Sequence, residues 1–172
     1  MLGFLLLGCS ARERSSADDP QRRTPAEAAL HKYSQAVEIA DLYGFSGAVL
    51  GGGTARGFDY DGGPLAVWFW TPWCPTCNSE ATEVVASARK FPSTNFLGIA
   101  GKDDQSAMQK FVDQYGIDFP TLVDADGSLW HHFGVTGQPA WVFVTASGAV
   151  HRTVGAPNQS ELEAVLDALS KT

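Results

Sequence analysis

Residues 65–77 read LAVWFWTPWCPTC and decide how the chain folds. The first six form an unbroken apolar run of strand length, which predicts a β-strand covered on both faces. The two cysteines follow at once, and residues 74–91 carry an apolar stripe at helical spacing. Its members are Ala81, Val84, Val85 and Ala88. The stretch therefore predicts a buried strand that runs directly into a helix, with Cys74 at the junction.

The segments that follow and precede this junction alternate between strand and helix patterns. The predicted strands are 48–50, 65–70, 96–100, 121–123, 141–144 and 150–154. The predicted helices are 74–91, 104–115, 129–133 and a last one that opens at a capping box of Asn158 and Glu161. Alternation predicts parallel pairing with right-handed crossovers, and the two late strands form an antiparallel hairpin. We therefore expect an α/β fold with a central mixed sheet and helices on both faces.

The first residues predict an exported, lipid-anchored protein. Residues 1–8 read MLGFLLLG and precede Cys9, a pattern similar to the bacterial lipobox, in which a cysteine carries the lipid. The run is shorter than a usual signal peptide and has no basic residue, which a start site further upstream would explain. Eight residues are also too few to span a bilayer, which needs about 20. An ordinary apolar N-terminus with a free thiol at Cys9 is the alternative.

Three further segments follow the lipobox-like run. Residues 9–25 are polar and rich in charge and predict a flexible tether. Residues 26–44 form an N-terminal extension, in which apolar residues at helical spacing within 26–43 predict a short amphipathic helix. The folded domain is expected to occupy residues 45–172.

Charge and cysteine content exclude two broad classes of protein. The 172-residue chain has a net charge of −7, whereas a nucleic-acid surface needs clustered cations to displace phosphate counterions. Of its three cysteines, Cys74 and Cys77 are too close in sequence to link distant parts of a fold. A nucleic-acid partner and a structural disulfide framework are therefore not expected.

The position of Cys74 at the start of a helix favours redox chemistry. The first turn of a helix has unpaired N–H groups and a partial positive charge, both of which stabilise a thiolate. The thiolate is the species that attacks disulfides. Pro75 suits the first helical position, and Cys77 lies one turn further on, close enough to form a disulfide with Cys74. We therefore expect Cys74 to attack clients and Cys77 to release them.

A metal carrier is the alternative from another class of function. A zinc site needs four ligands; the sequence has no second CxxC, and His131 and His132 are the only other ligand-like pair. Two thiolates would also suit Cu(I). The strand-to-helix position favours the redox function over a Cu(I) or Zn(II) carrier, so we expect neither a bound metal nor a cofactor.

Three motifs together are similar to those of a known family. They are the WCPTC sequence at 73–77, an acidic residue three positions after Cys77, and the sequence GQPAW at 137–141 ahead of a strand. The chain resembles thioredoxin-like proteins of the TlpA/ResA/DsbE group from about residue 45 onward, and secreted actinobacterial DsbE-like proteins in particular. The resemblance implies a thioredoxin fold and thiol–disulfide oxidoreductase activity.

The resemblance also implies roles for three residues outside the cysteine pair. The proline that matches Pro139 is cis in this family and lies against the active-site disulfide, which would present the backbone of Gln138 to an extended client. The family's glutamate that matches Glu80 assists proton transfer at the resolving cysteine, which a buried carboxyl with a raised pKa can do. An ordinary loop proline and a solvated helix residue are the respective alternatives.

The expected function is disulfide exchange with exported client proteins. We expect clients to contact Trp73, Pro75, Thr76, Gln138 and Trp141, with both tryptophans partly exposed around the cysteines. Oxidation of clients during folding is the first interpretation, with a membrane redox partner and a lipid anchor in the membrane. A reductase that keeps apocytochrome c thiols reduced is the alternative.

Overall fold

The computed structural model describes residues 23–171 as an α/β fold with two sheets. The helices are α1 (Pro25–Tyr33), α2 (Pro75–Lys90), α3 (Gln105–Tyr115), α4 (Ser128–His132) and α5 (Gln159–Leu169). The strands are β1 (Gln35–Val37), β2 (Ser46–Ala48), β3 (Thr54–Arg56), β4 (Leu65–Trp70), β5 (Asn95–Gly101), β6 (Thr121–Asp124), β7 (Ala140–Val144) and β8 (Val150–Val154). Strands β2 and β3 form a small hairpin, and the other six form the central sheet in the order β1-β8-β7-β4-β5-β6.

Strand β4 lies inside the central sheet, as its apolar sequence predicts. It pairs in parallel with β5 and antiparallel with β7, and all six of its residues are buried. Since successive side chains of a strand point to opposite faces, Trp68 and Trp70 enter one core while Val67 and Phe69 enter the other. A continuous apolar run is thus required at this position, because neither face of β4 meets water.

Helices cover both faces of the sheet, which confirms the predicted layers. The core that contains Trp68 also contains buried residues of α1, α2, α3 and α5. The core that contains Phe69 is closed by α4 and by the β2–β3 hairpin. The predicted helix caps are also present, since Asp104 caps α3 and Asn158 forms a capping box with Glu161 at α5.

The segment before residue 45 contains the predicted helix and also a strand that was not predicted. Helix α1 begins with a capping box of Thr24 and Glu27 and ends at Tyr33, so the short helix predicted within 26–43 is present but occupies only the first part of that stretch. Ser34 is extended, and β1 then pairs antiparallel with β8 at the edge of the central sheet. Helix α1 packs against α5. Residues 26–44, which the sequence set apart as an extension, therefore supply a helix and an edge strand to the main fold.

The N-terminal predictions lie outside the described residues. These are the signal segment at 1–8, lipidation of Cys9 and nearly all of the tether at 9–25, and they stay predictions. Among the helices found between residues 23 and 171, none is both long enough and apolar enough to cross a membrane.

Candidate active site

The two cysteines lie where the central strand ends and helix α2 begins. Residues 71–73 connect β4 to Cys74, whose backbone N–H donates to the Thr71 carbonyl oxygen at 3.2 Å. Cys74 is the N-cap of α2 and Pro75 is its first helical residue, as the sequence predicts. Cys74 and Cys77 form a disulfide, with their Cα atoms 5.2 Å apart.

Local electrostatics and access distinguish the two sulfur atoms. The backbone N–H of Cys77 donates to the Cys74 Sγ at 3.1 Å, so the free N–H of the first helical turn points at that sulfur. This donor and the helix dipole both favour negative charge there. The exposed fraction is 4% for Cys74 and 0% for Cys77. Of these two residues, therefore, only Cys74 has any surface that an incoming sulfur atom could approach.

Asn78 fixes the loop that carries Cys74, a role that the sequence did not reveal. Its side-chain amide donates to the carbonyl oxygens of Pro72 at 3.0 Å and Cys74 at 2.8 Å. Its own carbonyl oxygen accepts from the Tyr115 hydroxyl of α3 at 2.8 Å. Asparagine at this position has no local sequence signal, because its partner lies 37 residues away. The network ties the cysteine loop to α3.

Glu80 is buried one helical turn beyond Cys77. Its exposed fraction is 6%, so the alternative of a solvated helix residue is wrong. The Trp68 indole N–H donates to Glu80 Oε1 at 2.7 Å. Burial raises the pKa of Glu80 from its ordinary 4.5 to about 7, the Trp68 hydrogen bond opposes the increase, and the Glu83 carboxylate adds to it. The carboxyl therefore exchanges protons near neutral pH.

The Gln138–Pro139 peptide bond is cis, as the family resemblance implies. The Pro139 carbonyl oxygen accepts from the Gly155 N–H at 2.8 Å, which ties the bend to the end of β8. The next residue, Ala140, pairs with Phe69 near the end of β4. The strand register therefore brings Pro139 to the same end of the sheet as the cysteine loop, while Gln138 stays half-buried.

Two tryptophans expected around the cysteines differ in accessibility. Trp73 is 55% exposed, and its indole N–H donates to the Lys102 carbonyl oxygen at 3.3 Å. Pro75 and Thr76 are exposed beside it. Trp141 is 0% exposed, so its predicted partial exposure and direct client contact are wrong. Trp141 lies on β7, which pairs with β4 and β8. The Trp141 ring stacks on Trp68 inside the core, with the two ring centroids 6.1 Å apart.

The two histidines considered as metal ligands lie apart from the cysteines. His131 is exposed at the end of α4, and the His132 ring nitrogen lies 3.3 Å from the Leu42 carbonyl oxygen. Over residues 23–171, no group of three or more histidine, cysteine, aspartate or glutamate side chains is arranged to hold a metal ion.

The sheet topology and the cysteine junction define a thioredoxin-like thiol–disulfide oxidoreductase. The chain belongs to the AhpC/TSA family, whose model matches residues 40–153. The soluble secreted antigen MPT53 of Mycobacterium tuberculosis is 40% identical over 139 residues, which cover 79% of this chain and 80% of that protein. This agreement confirms the family resemblance, and the two solved structures described next confirm the fold and the activity that it implied.

Two solved structures have the same architecture. The structure of MTB DsbF, in mixed oxidised and reduced forms, has a TM-score of 0.74 and 42% identity and covers 77% of this chain and 99% of that one. A secreted Mycobacterium tuberculosis disulfide oxidoreductase, homologous to E. coli DsbE, has a TM-score of 0.72 and 40% identity. The match covers 75% of this chain and 99% of the chain in that structure. The likeness thus extends over nearly the whole of each of these domains.

Proposed function

We propose that this protein is an exported oxidase of client thiols, which transfers its Cys74–Cys77 disulfide to exported proteins as they fold. The observation that carries the proposal is the Cys77 N–H that donates to the Cys74 Sγ at 3.1 Å. A donor at this point stabilises the thiolate of the reduced protein. Stabilising the reduced form raises the reduction potential, and a higher potential favours oxidation of the client.

The proposed reaction takes two exchange steps. A client thiolate attacks the Cys74 Sγ, the Cys74–Cys77 bond breaks, and the electron pair leaves on the Cys77 Sγ, which takes up a proton. A second client thiolate then attacks the client sulfur of the mixed disulfide, and Cys74 leaves as a thiolate. The client loses two electrons and two protons and gains a disulfide, and the protein's disulfide becomes the reduced pair.

Glu80 is proposed to exchange the proton at Cys77. Both residues are buried on one face of α2, one turn apart, so water has little access to either. With a pKa of about 7, the Glu80 carboxyl can donate to the leaving Cys77 thiolate in client oxidation. In the reverse direction its carboxylate accepts the Cys77 proton, which prepares that sulfur to attack the mixed disulfide.

Clients are proposed to bind across the exposed residues around Cys74. Trp73 offers a large apolar surface, and Pro75 and Thr76 extend it along the first turn of α2. On the other side of the cysteines, the backbone of Gln138 is proposed to pair with an extended client segment in the manner of an added strand. Exposure of Trp73, Pro75 and Thr76 supports the proposal, whereas the buried Trp141 can act only through the core.

Export and membrane attachment form the cellular part of the proposal. A relative that is 40% identical is named a secreted antigen, and a related solved structure is that of a secreted oxidoreductase. The lipobox-like sequence before Cys9 supports a lipid anchor. A protein held outside the cytoplasm needs an oxidant to restore its disulfide, and we propose a membrane redox partner for that step.

Trapping experiments test the proposed roles of the two cysteines. Cys77→Ser should accumulate a mixed disulfide through Cys74 when reacted with a disulfide-containing client, because the releasing thiol is absent. Cys74→Ser is the matched control and should trap little. Trapping mainly through Cys77 in the second variant would reverse the proposed roles, and trapping in neither would contradict thiol exchange.

The reduction potential tests the proposed direction. Titration against glutathione should give a value toward the oxidising end of the range for this fold, about −180 to −120 mV. The protein should also introduce disulfides into a reduced, unfolded client. A potential near about −270 mV, with client disulfides reduced instead, would contradict the oxidase and favour the apocytochrome c reductase.

A further inference from the structure

One buried hydrogen bond joins the central strand to the helix that carries the cysteines. Trp68 lies on β4, directly between Gly98 of β5 and Trp141 of β7. Its indole N–H donates to Glu80 Oε1 on α2 at 2.7 Å, and both side chains are buried. The contact spans 12 residues of sequence and is a direct side-chain link between sheet and helix.

We propose that Trp68 is a positioning residue for thiol–disulfide exchange, whose indole N–H holds the Glu80 carboxyl in place for proton exchange with Cys77. A carboxyl on a helix has several rotatable bonds, and burial alone does not select one orientation. A hydrogen bond from a rigid ring does so, because the Trp68 ring is itself fixed by a tilted contact with Trp70 and by stacking on Trp141. The inference rests on the proposed role of Glu80.

The other buried tryptophans show that this hydrogen bond is specific to Trp68. Within residues 23–171, the indole nitrogens of Trp70, Trp130 and Trp141 have no hydrogen-bond partner. Trp70 lies two residues further along β4, enters the same core and is equally buried. These rings fill space in the cores, whereas the Trp68 ring also donates a hydrogen bond to the titrating Glu80 carboxyl.

The hydrogen bond should also set the pH at which Glu80 acts. Burial raises the pKa of Glu80, and the Trp68 N–H lowers it because the donor favours the charged carboxylate. Trp68→Phe removes the donor and keeps an aromatic ring. The Glu80 midpoint should then move upward by about one pH unit, as expected for the loss of one hydrogen bond to a charged group.

Kinetics of the releasing step test the proposal, with Trp70→Phe as the matched control. Reduced protein reacts with Ellman's reagent to give a mixed disulfide on Cys74, and attack by Cys77 then liberates a second thionitrobenzoate. In the wild type this second release should rise with pH through a midpoint near 7. Trp68→Phe should shift the midpoint upward by about one pH unit, and Trp70→Phe should leave it unchanged.

The Glu80→Gln variant distinguishes failure of this inference from failure of the proposed Glu80 role on which it rests. The variant should abolish the midpoint, and adding Trp68→Phe to it should have no further effect on the pH profile. If Glu80→Gln abolishes the midpoint but Trp68→Phe leaves it in place, the positioning role of Trp68 is overturned while the role of Glu80 stands. If Glu80→Gln leaves the profile unchanged, both fail.

A spectroscopic titration of the wild type tests the Trp68–Glu80 contact directly, even if Trp68→Phe does not fold. In oxidised, ¹⁵N-labelled protein, the indole N–H resonance of Trp68 should titrate with a midpoint near 7, as Glu80 ionises. The same resonance should stay constant in Glu80→Gln, and that of Trp70 should move little in either protein. A Trp68 resonance that stays constant in the wild type between about pH 5 and pH 9 overturns the inference.

Discussion

Glu80→Gln should make the oxidised protein more resistant to unfolding above neutral pH. Because the folded protein raises the pKa of Glu80 from 4.5 to about 7, it binds this proton more tightly than the unfolded chain does. The contribution of the group to stability is therefore complete below about pH 4.5 and is lost as the pH rises through 7. At about 1.4 kcal/mol for each pKa unit, the change amounts to about 3 kcal/mol.

Glutamine is a suitable replacement because it is neutral at every pH and its carbonyl oxygen can still accept from Trp68. We expect the unfolding free energy of the variant, relative to wild type, to increase by about 3 kcal/mol from acid to alkaline pH. Urea titrations of the oxidised proteins, at steps from about pH 4 to pH 8, measure this difference. Glu38→Gln, at an exposed glutamate, is the control for general effects of charge.

Comparing the two proteins at each pH removes the contributions of the other titrating groups, which both share. A difference that stays constant across this range would refute the claim that burial raises the Glu80 pKa. A difference that instead favours the wild type as the pH rises would show that the carboxylate is stabilised in the fold. Either result would also remove Glu80 as a proton donor near neutral pH.

Three further substitutions test contacts outside the cysteine pair. Tyr115→Phe removes the hydrogen bond to Asn78 and should lower the unfolding free energy, measured by urea titration, by about 1 kcal/mol. An unchanged unfolding free energy would argue that the hydrogen bond does not form in solution. Asp124→Ala removes the acceptor for the backbone N–H groups of Leu129 and Trp130 at the start of α4. Thermal unfolding should therefore show a stability lower by about 2 kcal/mol, whereas an unchanged stability would contradict this capping. Asn158→Ala removes the N-cap of α5 and should cost about 1 kcal/mol in the same assay, whereas equal stability would mean that water replaces the cap.

Local signals in the sequence predicted most of the elements that build the site. The apolar run at 65–70 became the interior strand β4, because burial on both faces leaves no position for a polar side chain. The caps at Asp104 and Asn158 also appeared as predicted, since a cap depends on residues only three apart. Placement of Cys74 at the start of α2 followed from the same kind of short-range information.

Features that depend on distant partners were not predictable in this way. Strand β1 exists because β8 offers an edge to pair with, although residues 26–43 alone have helical spacing. Trp141 is buried because it lies in the core between the sheet and the helices, stacked on Trp68 and Phe143, which its own sequence does not reveal. The Trp68–Glu80 and Tyr115–Asn78 hydrogen bonds join separate elements, so only the folded chain shows them.

The reactivity of the two thiols as a function of pH tests the central claim most directly. Reduced protein is treated briefly with iodoacetamide across a range of pH, and mass spectrometry of peptides measures the modification of Cys74 and Cys77 separately. We expect Cys74 to be modified with a midpoint well below the ordinary thiol value of about 8.5, while Cys77 reacts little. A midpoint for Cys74 near 8.5, or faster modification of Cys77, would contradict the account.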